Sequence, residues 1–204
     1  MKTEMVYIDK DGYERSLDYL MGRSHGGPSF YTHVEREVHE CYAFTFSVVD
    51  ATLGDTDTLN IAFKTGNVLP QAHMVVGFSS LVGGYTQILE APTWTTNTGT
   101  VTAVHNRKRD NNPTVSTLLE DKTATPAFTR TGKILVNVTD LAGGTAIWTR
   151  YAWGEKGKLE VGDYRAENEF LLRLDTQYAV LFTAIGDNNK AQIILNWLES
   201  LRGE

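Results

Sequence analysis

Cysteine is nearly missing from this chain: Cys41 stands alone among 204 residues. A single thiol cannot close an intrachain disulfide, and a cysteine-rich zinc site is excluded with it. Long apolar runs are missing too. No stretch reaches the roughly 18 apolar residues of a membrane span, and the N-terminal MKTEMVYIDKDGYERS lacks the apolar core of a secretory signal. The expectation is a soluble product of a cytoplasm with no membrane partner. Positive charge is in deficit: 19 Lys and Arg against 25 Asp and Glu give a net charge of -6. Phosphate neutralisation therefore does not drive binding, and no nucleic-acid partner is expected. GxSxG, Walker A and GxGxxG motifs are absent. So is almost any helical periodicity.

What is present is a period of two. Tyr42, Phe44, Phe46 and Val48 alternate with smaller or polar residues, as in a half-buried strand. GDTD (54–57) then reads as a turn. The same reading gives strands over 59–64, 72–78, 85–92, 99–106, 132–140, 145–153, 168–175, 178–185 and 191–199. The last of these also fits a helical stripe through Ile193, Ile194, Trp197, Leu198 and Leu201. A strand is favoured because Ala191, Ile193, Leu195 and Trp197 line one face and the turn GDNNK (186–190) leads into it. A short helical tail is allowed for after Glu199. About ten strands with short turns predict an all-β fold, a β-sandwich of jelly-roll-like type. It occupies 33–204 as a single domain, behind a polar, glycine-spotted N-terminal arm over 1–32.

The densest cluster of metal-ligating side chains is HVEREVHE (33–40). In a strand His33, Glu35, Glu37 and His39 share one face, but the two histidines then lie roughly 20 Å apart, too far for one ion. In a helix, HExxH needs a second histidine four residues on, and position 43 is alanine. His39 and Glu37 with a distant His73 or His105 is the arrangement left open. The expectation is a solvated or interface-facing strand, with no metal and no cofactor. Cys41 beside His39 lacks any marked oxyanion donor and reads as a small buried hydrophobe. Glu90, Glu155, Glu160, Glu167 and Glu169 offer no spacing that singles out a glycosidase pair. The protein is expected not to be an enzyme.

Two features point to binding. Trp94, in the polar run PTWTTNTGT, is expected to be partly exposed and is the candidate glycan contact. Arg107, Lys108 and Arg109 form the one dense basic cluster, opening an irregular stretch (107–130) too long for an idle connection. They fit either an acidic partner surface or an exposed turn.

The order EREVHECYAFTF (35–46), DTLNIAFKT (57–65), QAHMVVGF (71–78), ILEAPTWTTNTGTVTAVHNRKRDN (88–111) and ENEFLLRLDTQYAVLFTAIGDNNKAQIILNWLES (167–200) resembles the head decoration, or cement, proteins of tailed bacteriophages. The resemblance covers about 33–200. It implies an all-β virion protein on the capsid surface, trimeric assembly, the major capsid protein as partner, and no catalytic residues. The chain departs from the pattern in its 1–32 arm and in the 107–130 loop, which leaves the docking position open. Arm and loop, with Arg107, Lys108 and Arg109 as charged anchors, are the expected contacts. The alternative expectation is a receptor- or carbohydrate-binding module of a phage fibre or tail.

Overall fold

The computed structural model describes residues 42–67, 70–109, 114–120, 131–153 and 169–199, with four short backbone pieces nearer the N-terminus. Those pieces form two antiparallel pairs, β1 (Val6–Ile8) with β2 (Glu14–Ser16) and β3 (Arg23–Ser24) with β4 (Gly27–Pro28). The remainder of the expected arm lies outside the described residues, as do HVEREVHE (33–40) and Cys41.

Eleven strands in two antiparallel sheets make up the body, and no helix occurs among the described residues. They are β5 (Ala43–Leu53), β6 (Thr58–Lys64), β7 (Ala72–Ser80), β8 (Gly83–Glu90), β9 (Thr100–Ala103), β10 (His105–Asn106), β11 (Lys133–Val136), β12 (Thr145–Trp153), β13 (Glu169–Leu171), β14 (Gln177–Ala184) and β15 (Asn189–Glu199). One sheet has the order β10-β5-β15-β7-β13, the other β12-β8-β14-β6-β11-β9. The chain passes from sheet to sheet at almost every connection, so sequence neighbours such as β5 and β6 face each other across the core.

The alternation sets which side chains fill the space between the sheets. Phe44 and Phe46 on β5, Leu59, Ile61 and Phe63 on β6, Met74, Val76 and Phe78 on β7, and Ile193, Leu195 and Trp197 on β15 all point between the sheets. Each such side chain, fully buried, contributes about 1.5–3 kcal/mol. Phe44 stacks on Trp197 at 5.6 Å and Phe63 on Tyr178 at 6.1 Å. The final segment is a strand through Glu199, with Ala191, Ile193, Leu195 and Trp197 on its inward face as the alternation predicts.

Three expected strands are shortened. The stretch 99–106 splits into β9 in one sheet and β10 in the other, with Val104 packed into the core between them. Strand 132–140 stops at Val136, because Asn137 and Asp140 take left-handed backbone (φ 55° each). Strand 168–175 stops at Leu171, and Asp175 turns at φ 51°. Asn and Asp enter that region more readily than most residues because their short polar side chains bond the local backbone.

The six-stranded sheet is covered on part of its outer face as well. Segments 91–99 and 137–144 pair there through Thr93 and Ala142 and bring Trp94 and Val138 over Ala62, Leu89, Leu135 and Ala179. Asn60, buried beneath them, donates from Nδ2 to Val138 O and accepts from Val138 N–H at Oδ1. Trp94 is therefore not the exposed residue its polar neighbours suggest. At 4% exposure it is part of a second small core, and it offers no open ring face to a sugar. Gly84, on β8, shows how little room the neighbouring strand leaves: a Cβ there would lie 2.4 Å from both Phe182 Cζ and Thr183 O on β14.

Candidate functional site

The sandwich has two ends with different chemistry. At one end β5 and β15 begin and finish together, Ala43 opposite Leu198. There the first part of the long 107–130 stretch is fastened down. Arg107 N–H donates to Ala43 O, and Lys108 N–H to Asn106 Oδ1. Leu119 exchanges both backbone hydrogen bonds with Lys64, and Leu118 enters the main core. Residues 114–120 thus close the end of the sandwich. Positions 110–113 and 121–130 lie outside the described residues.

The fastening converges on Glu199, which is 1% exposed. Its Oε1 accepts from Ser116 Oγ (2.5 Å) and Trp197 Nε1 (2.9 Å), and its Oε2 from Thr117 N–H (2.8 Å). Ser116 Oγ in turn accepts from Leu118 N–H. Burial pushes the carboxyl above its ordinary range, while the donors from Ser116, Thr117 and Trp197 pull it back. A buried, perturbed carboxyl is a functional-site candidate on general grounds. Here every oxygen is occupied by the chain's own donors, so its work is to hold the loop to the last strand.

On the same end, Arg107 and Arg109 are exposed and Lys108 is half-buried. Val115, beside them, is exposed at 46%. The basic cluster is real in space, on an anchored piece of backbone rather than a free loop. A second polar corner lies nearby. Tyr178 Oη donates to Glu90 Oε2 (2.8 Å) and accepts from Arg173 N–H, and Arg173 pairs with Glu90 Oε1 at 3.0 Å. Burial first, and the neighbouring Glu90, push the Tyr178 hydroxyl up to about 12. It stays a donor at any physiological pH and fixes the turn before β14.

The opposite end gathers three turns. Leu81, Val82 and Ile185 are exposed at 46%, 39% and 48% and come from the β7–β8 and β14–β15 connections. Ile185 N–H donates to Gly83 O and Leu81 N–H to Lys190 O, so the two turns are joined. Beneath them Asn189, fully buried, donates to Gly83 O and accepts from Ser80 Oγ and Val82 N–H. Around them stand Asp55, Asp57 and Asp187, all exposed. Their carboxylates accept from Gly186, Gly54 and Asp55 N–H, respectively, which stiffens the tip. Sequence reading does not find this tip, because the β14–β15 turn lies more than a hundred residues from the other two.

Of the other singled-out residues, His73 lies 3.6 Å from Glu169 and His105 is exposed on the edge strand β10. Two strands, β5 and β15, lie between theirs in the five-stranded sheet. No group of three His, Cys, Asp or Glu that can hold a metal occurs among the described residues. Glu90 is engaged as above, and Glu155, Glu160 and Glu167 lie outside the described residues. No helix of the described residues is long and apolar enough to cross a membrane. No protein-family model, curated protein or solved structure matches the chain.

Proposed function

We propose that this chain is a structural protein of a tailed-bacteriophage virion, a decoration protein that binds the outside of the head and strengthens it. The observation that carries the reading is the strand order. The orders β5-β15-β7-β13 in one sheet and β6-β14-β8-β12 in the other support reading the sandwich as a jelly roll, an architecture that hosts viral capsid domains as well as lectins and cupins. Fold alone does not name a function; the sequence resemblance to decoration proteins selects among these hosts. A protein that binds only the assembled shell stabilises it by mass action, and contact with several capsomers multiplies the effect. The partners are the major capsid protein and two further copies in a homotrimer. Arg107, Lys108 and Arg109 supply charged contacts to an acidic surface, together with the 1–32 segment.

The test uses heads of the encoding phage made without this chain. The full chain is expected to bind them and to raise the temperature at which they disrupt. Deleting 1–32 and neutralising Arg107, Lys108 and Arg109 to glutamine is expected to weaken binding by about tenfold or more, since exposed charge pairs are worth up to about 1 kcal/mol each. Heads that ignore the full chain would sink the decoration reading. Equal binding by the altered chain would sink the assignment of contacts.

One observation favours the second reading, a carbohydrate-binding module of a fibre or tail. On the outer face of the six-stranded sheet, Tyr85 and Tyr151 sit 5.5 Å apart at 41°. Tyr151 is 48% exposed, and Gln87 and Thr149 lie beside the pair. Aromatic rings flanked by an amide and a hydroxyl suit a neutral sugar. A glycan array on which the chain binds, and Tyr151→Ala does not, is the expected result of this reading; a blank array removes it.

A further inference from the structure

The acidic surface that Arg107–Arg109 would meet is present on the chain itself, at its other end. The tip has an apolar centre, Leu81, Val82 and Ile185, rimmed by Asp55, Asp57 and Asp187. The opposite end carries Arg107, Lys108 and Arg109 beside the exposed Val115. Apolar centre with anionic rim against apolar residue with cationic rim is the anatomy of two matching patches. They cannot meet within one molecule. The 11 residues of β5 run between the two ends, about 33 Å at 3.3 Å per residue.

We propose that the tip of one copy docks on the Arg107–Arg109 end of the next, so that copies associate head to tail. The tip is built for this. Asn189 and the three aspartates hold its turns through backbone hydrogen bonds, so little conformational freedom is lost on contact. Because two different patches meet, the contact is heterologous. It closes into a ring if the rotation per copy allows and grows openly if not; a ring of three would be the trimer proposed above. The inference rests on the decoration reading only in taking Arg107–Arg109 as contact residues, and association of purified copies needs no shell.

The test is charge complementation in purified full-length protein, followed by light scattering after size exclusion. Wild type is expected to associate, and raising the salt to about 0.5 M is expected to weaken association by about tenfold or more. Leu81→Lys with Ile185→Lys puts two cations into the apolar centre of the tip, where the cationic end of the next copy would sit. Arg107→Glu, Lys108→Glu and Arg109→Glu make both ends anionic. Each altered chain alone is expected to run as a monomer, and their equimolar mixture to associate again. That rescue distinguishes a lost contact from a damaged fold. Val49→Lys, on the outer face of β5 and 62% exposed, is expected to associate like wild type. A monomeric wild type at low salt overturns the proposal, as does undiminished association of the two altered chains alone, or a mixture that stays monomeric. Association that holds while phage heads are ignored would leave this contact standing and remove the decoration reading.

Discussion

Replacing Trp197 by alanine is expected to lower the unfolding free energy by about 3–5 kcal/mol, the range for removing a large aromatic side chain from a packed core. The effect should sit at the top of that range. Trp197 is fully buried on β15, the strand with two long partners in its sheet. Its ring stacks on Phe44, so the cavity opens against an aromatic face that cannot collapse onto a methyl group. Its indole N–H also occupies Glu199 Oε1, and that donor disappears with the ring. Urea unfolding followed by circular dichroism measures the change. Trp197→Phe separates the terms: it keeps most of the packing and loses the hydrogen bond. A midpoint unchanged in Trp197→Ala would mean that β15 is not the centre of its sheet.

The second large effect concerns Glu199. Replacing it by alanine leaves Thr117 N–H and Trp197 Nε1–H without their acceptor in a buried site, at about 1–3 kcal/mol for each unmade bond. The segment 114–120 is expected to loosen first, seen as faster amide exchange at Thr117 and Leu118. The glutamine variant probes the pH dependence. The folded carboxyl titrates above its ordinary value of 4.5 because burial disfavours the charged form. Its contribution is therefore fully present below the unfolded value and is lost as pH rises through the raised folded value. Wild-type stability should fall across that window, and Glu199→Gln, which has no proton to lose, should lack this fall. Glutamine also turns an N–H group toward Thr117 N–H if Oε1 keeps its partners, so its curve should lie lower at acid pH. Parallel curves for the two proteins would show that Glu199 does not titrate in that window.

Much of the body was legible because the alternation is strong. YAFTFSV and the one-sided face of Ala191, Ile193, Leu195 and Trp197 specify strands by side-chain direction alone. The sheet order was not legible: alternation says which face is buried, never which strand lies alongside. Trp94 was misread for a related reason. Its neighbours are polar, but burial is decided by what lies beneath it, here Ala62, Leu89 and Ala179. The sign was present in β6, where Ala62 between Ile61 and Phe63 gives a strand apolar on both faces. Glu199 left no sign, since a charged residue at the end of a strand ordinarily faces water. The basic run was visible as composition. The acidic tip was scattered over two turns and became one surface only after folding.

The last two described strands in sequence order are inner strands, β15 in one sheet and β14 in the other. Thr45, on the first strand of the sandwich, bonds to Leu195, 150 residues on. During translation, then, β5 and β7 wait for a partner made long after them, and their sheet is expected to close only once Asn189–Glu199 has emerged. A chain cut short before position 189 would have most of its apolar residues and neither the strand nor the carboxylate that joins them, and would be a substrate for chaperones and proteases rather than a smaller version of the same protein.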